Sequence, residues 1–138
     1  MYYKISICYP DKKEIEEKLQ TFSEKKALAF FDSFPWQDQL TLMGNMDEEK
    51  IHFNPSVRFT NPANNMGLDV TAIPDEGKVS FALWYERPVL VKTLFGLGRE
   101  KEKWKLTDKW GFDPDAARTG LEAFLNEDYA EMERVMER

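Results

Sequence analysis

The 138-residue sequence has little of the chemistry on which most catalytic and metal sites depend. Cys8 is the only cysteine, so no disulfide within the chain, cysteine zinc cage or CxxC redox motif can form. His52 is the only histidine, which excludes histidine pairs and histidine-rich metal sites. None of the five serines lies in a GxSxG motif. We therefore predict no catalytic residue, metal or cofactor, and a reducing, cytoplasmic location.

Long apolar runs and excess positive charge are absent as well. The longest uninterrupted apolar runs, 27–31 and 81–85, fall far short of the roughly 18 residues that a membrane helix needs. No basic segment followed by an apolar one marks a secretion signal. The net charge of -6 disfavours nucleic acid and anionic lipid, and it favours a partner with a basic surface. We expect neither membrane nor nucleic-acid binding.

The sequence contains enough apolar residues to form one hydrophobic core. Hydrophobic residues make up 42% and aromatic residues 14% of the chain, and no linker or repeat divides it. The length fits one core and is short for two. We predict a single globular domain over residues 1–138.

The first half of the chain predicts a strand followed by a helix. Apolar and polar residues alternate over 2–9, as in a strand. Asp11 and Glu14 have the spacing of a capping box, so a helix is predicted from Asp11 to about Phe34. A second capping box at Thr21 and Glu24 leaves open whether this is one helix or two. Residues 38–50 are ambiguous, with a short strand or a turn as the alternatives.

The second half predicts a meander of strands and a terminal helix. Strands are expected at 51–53, 57–60, 68–73 and 79–86, and after a hairpin or loop a last strand contains Trp104 and Leu106. Asp113 and Pro114 are a helix cap and first residue, and an apolar stripe continues almost to the terminus. The predicted fold class is α+β, an antiparallel sheet of about five strands in β-α-β-meander-α order with two helices packed on one face.

The ribbon at 68–86 predicts a sheet with two different faces. Placing Ile73 opposite Lys78 gathers one set of apolar or small side chains, which comprises Leu68, Val70, Ala72, Val79, Phe81 and Leu83. The other face then holds Asp69, Thr71, Ser80, Ala82, Trp84 and Glu86, and the alternation of the preceding segments adds His52 and Arg58. With the helices on the apolar face, the polar face is left open.

This open face carries the main functional hypothesis, a non-enzymatic intracellular protein-interaction domain. Tryptophan and arginine are enriched at interface hot spots. The predicted partner-binding residues are Arg58, Asp69, Trp84, Glu86 and Phe95. Phe95 and Leu97, flanked by glycines, form either an exposed apolar tip or a tip folded onto the core. The partner is an unknown protein, and a homodimer through the open face stays a second option.

A rival hypothesis is a small-molecule-binding protein or an uncharacterised enzyme. In this hypothesis Trp84, Trp104 and Trp110 line a pocket between the sheet and the helices, and Asp69 or Glu86 supplies a polar contact. Asp69 and Glu86 could also serve as an acid and base pair, although ordinary surface carboxylates are favoured.

Other residue groups are better explained without a functional site. The acidic run Asp47, Glu48 and Glu49 near His52 is interpreted as a solvated turn, and Gly96 and Gly98 as turn glycines. Residues 87–109 hold seven basic and three acidic side chains, a local charge of +4. The terminal residues from 113 onward carry -5, so the two segments can balance each other within the fold.

Overall fold

The computed structural model describes residues 1–92 and 100–137, and within them the chain has the predicted α+β class. The strands are β1 (Tyr2–Cys8), β2 (Glu16–Glu17), β3 (Phe22–Ser23), β4 (Ser56–Thr60), β5 (Gly67–Asp75), β6 (Lys78–Lys92) and β7 (Glu100–Phe112). The helices are α1 (Glu24–Ser33), α2 (Trp36–Gly44), α3 (Pro114–Leu125) and α4 (Tyr129–Glu137), with a short 3₁₀ helix at Glu48–Lys50.

The seven strands form an antiparallel sheet in the order β2-β1-β4-β5-β6-β7, with β3 also pairing with β1. The prediction of about five strands was therefore too low. Both additional strands, β2 and β3, are only two residues long. Pieces this short show no alternation of apolar and polar residues, so the sequence pattern could not reveal them.

The segment predicted to begin a helix at Asp11 contains turns and the two short strands β2 and β3, and no helix before Glu24. Helix α1 starts at Glu24, and the Ser23 side chain caps it by accepting a hydrogen bond from the Lys26 amide at 3.2 Å. Ile15 and Leu19, which were to form the buried stripe, are 54% and 102% exposed. Without burial of an apolar face, a short helix lacks its main source of stability in water.

The ambiguous segment after Pro35 contains a helix rather than a strand. Trp36 and Leu40, four residues apart, are both buried on one side of α2. The indole nitrogen of Trp36 donates to the carbonyl of Phe31 at 3.0 Å, which ties α2 to α1. Residues 51–53, predicted as a strand, are not in the sheet, and His52 is exposed outside it.

The hairpin between β5 and β6 has a tighter turn than predicted. Ile73 lies opposite Ser80 instead of Lys78, a shift of two residues. The turn consists of Glu76 and Gly77 with φ values of 49° and 82°, and two-residue hairpin turns commonly require positive φ at both positions. A shift of two residues keeps every side chain on its predicted face, because side chains alternate with a period of two.

All four helices contribute to a core against the apolar face of the sheet. Rows across the sheet such as Ile5, Phe59, Leu68 and Tyr85 are fully buried there. The same core includes Ala27, Phe31, Leu40, Leu121, Phe124 and Met132 from the helices. Helix α3 lies so close to β6 that a Cβ built on Gly120 would be 3.0 Å from Leu83 Cδ1.

The C-terminal segment forms two helices where one was predicted. Asp113 caps α3 as expected, accepting from the Ala116 amide at 2.7 Å, and Pro114 follows it. The helix ends at Leu125, and Glu127 has a φ of 57°, which turns the chain before α4 starts. The prediction of two helices on one face is thus corrected to four. No helix in the described ranges is long and apolar enough to cross a membrane.

Candidate functional site

The face of the sheet opposite the helices holds a row of polar and aromatic side chains. Strand pairing aligns Ser6, Arg58, Asp69, Trp84 and Asp108 across β1, β4, β5, β6 and β7. Arg58, Asp69 and Trp84 are half-buried. We call this side of the sheet the open face.

Arg58 is the centre of an ion-pair network on the open face. Its Nη1 donates to Asp69 Oδ2 at 2.8 Å, and its Nη2 donates to Glu86 Oε1 at 3.3 Å. Asp69 and Glu86 were considered above as an acid and base pair. In the structure both carboxylates accept hydrogen bonds from the same arginine, Arg58. Burial raises the pKa of the Asp69 carboxyl, and the neighbouring Arg58 offsets this only in part. Asp69 is therefore a partly desolvated carboxylate, and its pairing with Arg58 offsets the lost hydration only in part.

Gly67 gives Arg58 the space it occupies. Gly67 lies opposite Glu86 on β6, and a Cβ built on it would be 2.5 Å from the guanidinium carbon of Arg58. The arginine side chain therefore lies directly over the backbone of β5. A glycine inside a strand indicates such a close approach, so this residue could have been included from the sequence.

Substitution Gly67→Ala is expected to displace Arg58 and to lower the free energy of unfolding by about 1–2 kcal/mol. Urea unfolding measures the change. In an Arg58→Ala background the same substitution should cost almost nothing, because the clash is gone. Gly44→Ala is the control, since nothing lies within 4 Å of a Cβ built at Gly44. An equal cost of Gly67→Ala in both backgrounds would contradict the placement of Arg58.

A shallow groove of about 580 Å³ lies next to this network on the open face. One side is formed by Trp84 and Trp110, whose ring centroids are 6.2 Å apart at an angle of 65°. The Trp110 indole nitrogen donates to Asp108 Oδ2 at 2.8 Å, which orients the ring. The residues lining the groove are Phe53, Asn54, Ser56, Asp69, Thr71, Ile73, Trp84 and Trp110. We call it the tryptophan groove.

The tryptophan groove lies at a different place from the pocket that the rival hypothesis assumed. Trp84 and Trp110 meet on the open face and not between the sheet and the helices. Trp104 is opposite Pro88, farther along the same hairpin, and does not line the groove. Asp69 is the carboxylate in the groove, whereas Glu86 contacts Arg58 beside it.

Strands β6 and β7 extend from the groove as a long two-stranded arm. Pairing continues from Trp84 opposite Asp108 to Lys92 opposite Glu100. Its side on the open face exposes large apolar side chains, with exposed fractions of 67% for Leu90, 46% for Trp104, 52% for Leu106 and 55% for Trp110. Phe95, the remaining predicted partner-binding residue, and Leu97 lie outside the described residues, as do Gly96 and Gly98.

The opposite side of the arm is basic and partly joined to α4. Arg87 is 6% exposed; its Nε and Nη2 donate to Glu133 at 2.9 and 3.2 Å, and its Nη1 donates to Thr107 Oγ1 at 2.6 Å. Lys109 donates to the carbonyl of Val135 at 3.4 Å. The predicted charge balance between the basic segment and the acidic C-terminus is therefore present at one ion pair, Arg87 with Glu133.

Of the remaining candidates, Cys8 borders the tryptophan groove beside Ser56, and the acidic run lies outside the sheet. Cys8 is half-buried on β1, and burial raises the pKa of its thiol although a hydrogen bond with Ser56 lowers it. Asp47 precedes the 3₁₀ helix at Glu48–Lys50, and these residues are exposed. Within residues 1–92 and 100–137, no three His, Cys, Asp or Glu side chains are grouped so that they could hold a metal ion.

Comparisons with protein-family models, curated proteins and solved structures found no significant match to this chain.

Sequence reasoning identified part of the open face and missed the rest. Arg58, Asp69, Trp84 and Glu86 are neighbours there, as the alternation predicted. Gly67, Leu106 and Asp108 were not included, and Trp110 was assigned to a different pocket. Trp104, Leu106, Asp108 and Trp110 follow one another at every second position, which was a signal for one face of a strand.

Proposed function

We propose that this chain is a non-enzymatic protein-interaction domain that binds a partner protein through its open face. The supporting observation is the row of exposed apolar side chains on the arm, formed by Leu90, Trp104, Leu106 and Trp110 on one side. Single exposed apolar residues are common on protein surfaces, but a group of neighbouring apolar side chains that includes tryptophans is typical of an interaction site. The single cysteine favours a reducing location, so the proposed site of this interaction is the cytoplasm.

The shape of the surface also favours a protein over a small ligand. The tryptophan groove is shallow, and the apolar side chains continue beyond it along the arm. A small molecule would cover the groove and leave Trp104, Leu106 and Leu90 in water, whereas a protein surface could cover them all. The partner's contact area therefore extends from Arg58 and Asp69 to the arm.

Site-specific photocrosslinking tests this function. A photoreactive amino acid replaces Leu106 on the arm or, as a control, Leu42, which is 36% exposed on α2, on the helix side of the sheet. In extracts of the source organism, the Leu106 probe is expected to give a discrete product of higher mass that disappears when Trp104 and Trp110 are both changed to serine. No product, or the same product from Leu42, would contradict the proposal.

Binding of a small molecule in the tryptophan groove is the second candidate, favoured by its two aromatic rings and the desolvated Asp69. A thermal-shift screen against metals, nucleotides and common metabolites distinguishes the two candidates, because a ligand that binds only the folded state raises the melting temperature. A hit that Trp110→Ser removes would favour the small molecule. A flat screen together with a crosslinked partner favours the protein interaction.

A further inference from the structure

The tryptophan groove combines the groups that recognise an arginine side chain. Trp84 and Trp110 offer indole surfaces at its side, and Trp110 is 55% exposed. Asp69 is the carboxylate among the residues lining it. A planar guanidinium stacks on an aromatic ring and pairs with a carboxylate at the same time, which a lysine ammonium does less well.

The charge of the surrounding surface is complementary to a cation. On strands β4 to β7, the described side chains of the open face between the row of Asp69 and Leu90 comprise one basic residue and four carboxylates, Arg58 against Asp69, Glu86, Glu102 and Asp108. The local charge is thus -3. Arg58 already donates to Asp69 and Glu86, so it does not repel a second cation as an unpaired charge would.

Asp69 has capacity for a second cation. Arg58 engages only its Oδ2, and no hydrogen bond to its Oδ1 forms within residues 1–92 and 100–137. The raised pKa of this carboxyl, caused first by burial, indicates that Arg58 does not fully compensate for its lost hydration. An additional positive group at the groove would stabilise the charged carboxylate further.

We propose that the tryptophan groove binds an arginine side chain of the partner protein, with the guanidinium stacked on Trp84 or Trp110 and paired with Asp69. This inference rests on the proposed function, and it specifies the partner's chemistry at that surface. The apolar side chains of the arm then contact apolar residues that flank the arginine. Such a partner carries an arginine within an apolar patch.

A second copy of this chain is a poor occupant of the groove. Two open faces brought together would each contribute a local charge of -3. The arginines that the structure describes are already paired with carboxylates. They are Arg58 with Asp69 and Glu86, Arg87 with Glu133, Arg118 with Asp32 and Glu122, and Arg134 with Glu131. A described arginine could enter a neighbour's groove only by breaking such a pair, so we infer a different protein.

The test uses a capped peptide with the sequence Gly-Leu-Arg-Leu-Gly and follows the indole N–H signals of the four tryptophans by NMR. We expect saturable shifts of the Trp84 and Trp110 signals, and binding that weakens as salt is added. The matched peptide with citrulline, a neutral isostere of arginine, should bind about tenfold more weakly. Trp36, which is buried, serves as the internal reference.

Two charge-matched variants locate the contact. Asp69→Asn should weaken the arginine peptide about tenfold. Asp75→Asn, at the exposed end of the same hairpin, should leave its affinity unchanged. Equal binding of the citrulline peptide, shifts confined to Trp104, or insensitivity to Asp69→Asn would overturn the arginine assignment. A dimer in sedimentation equilibrium that Trp110→Ser dissociates would overturn it in favour of a second copy.

The experiments can contradict the interaction function and the arginine assignment independently of each other. If the Leu106 probe captures a partner but the arginine peptide does not bind the groove, the arginine assignment is wrong and the interaction function stands. If the peptide binds as expected, the groove recognises arginine whatever the crosslinking shows. If neither experiment gives its expected result, both proposals fall.

Discussion

Substitution of Phe81 by alanine is expected to lower the free energy of unfolding by about 3–5 kcal/mol, a large part of the total stability of an ordinary domain. Phe81 is 1% exposed, and its ring centroid is 5.5 Å from that of Phe31 and 5.1 Å from that of Trp36. Its removal opens a cavity between β6, α1 and α2. Urea unfolding followed by circular dichroism measures the loss.

The matched substitution is Trp84→Ala, three residues later on the same strand and on the opposite face. Trp84 is half-buried and contacts Trp110, so its loss should cost about 1–2 kcal/mol and leave the fold intact. The pair of variants therefore tests whether the sheet has one buried face and one open face. If Trp84→Ala destabilised as much as Phe81→Ala, the open face would be part of a core and the proposed binding surface would be wrong.

The two faces of the sheet were predictable because they depend on alternation alone. The assignment of Val70, Phe81 and Leu83 to one face and of Asp69 and Trp84 to the other survived an error of two residues in the pairing. The error arose because Glu76 accepts a positive φ, a conformation that is uncommon for residues other than glycine. The turn was therefore drawn with four residues instead of two.

The helices were less predictable because packing decides them. An apolar spacing such as Ile15 and Leu19 stabilises a helix only where another element covers it, and here both side chains are exposed. Helix α2, which was not predicted, was obscured by the alternation of Leu40 and Leu42, of which only Leu40 is buried. Burial by distant segments is not contained in a local pattern.

The functional surface was only partly predictable for the same reason. Arg87 was counted in a basic solvated segment, but contact with Glu133 of α4 buries it. Trp110 was not placed beside Trp84 because the register of β6 against β7, which brings the two rings together, was not predicted.

The arm consequently presents two different surfaces, and this decides how a partner approaches. Lys101, Lys103 and Lys105 are exposed on the side that faces α4, whereas the open face carries the carboxylates and tryptophans. Cross-strand neighbours lie about 5 Å apart, within the Debye length of about 8 Å at physiological salt, so local charge rather than the total of -6 governs docking. An arginine side chain near the arm is therefore attracted to the open face and repelled by the lysine side.

Alkaline pH is expected to unfold the protein through two buried tyrosines. Tyr3 is fully buried and donates its hydroxyl to the carbonyl of Leu125 at 2.5 Å, and Tyr85 is 1% exposed. Burial, with smaller effects of nearby acidic groups, raises the pKa of both hydroxyls far above the usual 10. Above about pH 10 the unfolded chain loses protons that the folded chain keeps, so stability falls as pH rises.

Each tyrosine should contribute a slope approaching about 1.4 kcal/mol per pH unit, and the two together about twice that. Urea unfolding between about pH 8 and 11 measures the slope. Tyr3→Phe should cost about 1–3 kcal/mol at neutral pH, because the Leu125 carbonyl loses its buried donor, yet it should halve the alkaline slope. Tyr2→Phe, on the neighbouring side chain that is 62% exposed, is the control and should change neither quantity. If Tyr3→Phe left the pH dependence of the unfolding free energy unchanged, Tyr3 would ionise in the folded protein. The contact between Tyr3 of β1 and Leu125 at the end of α3 would then open without global unfolding.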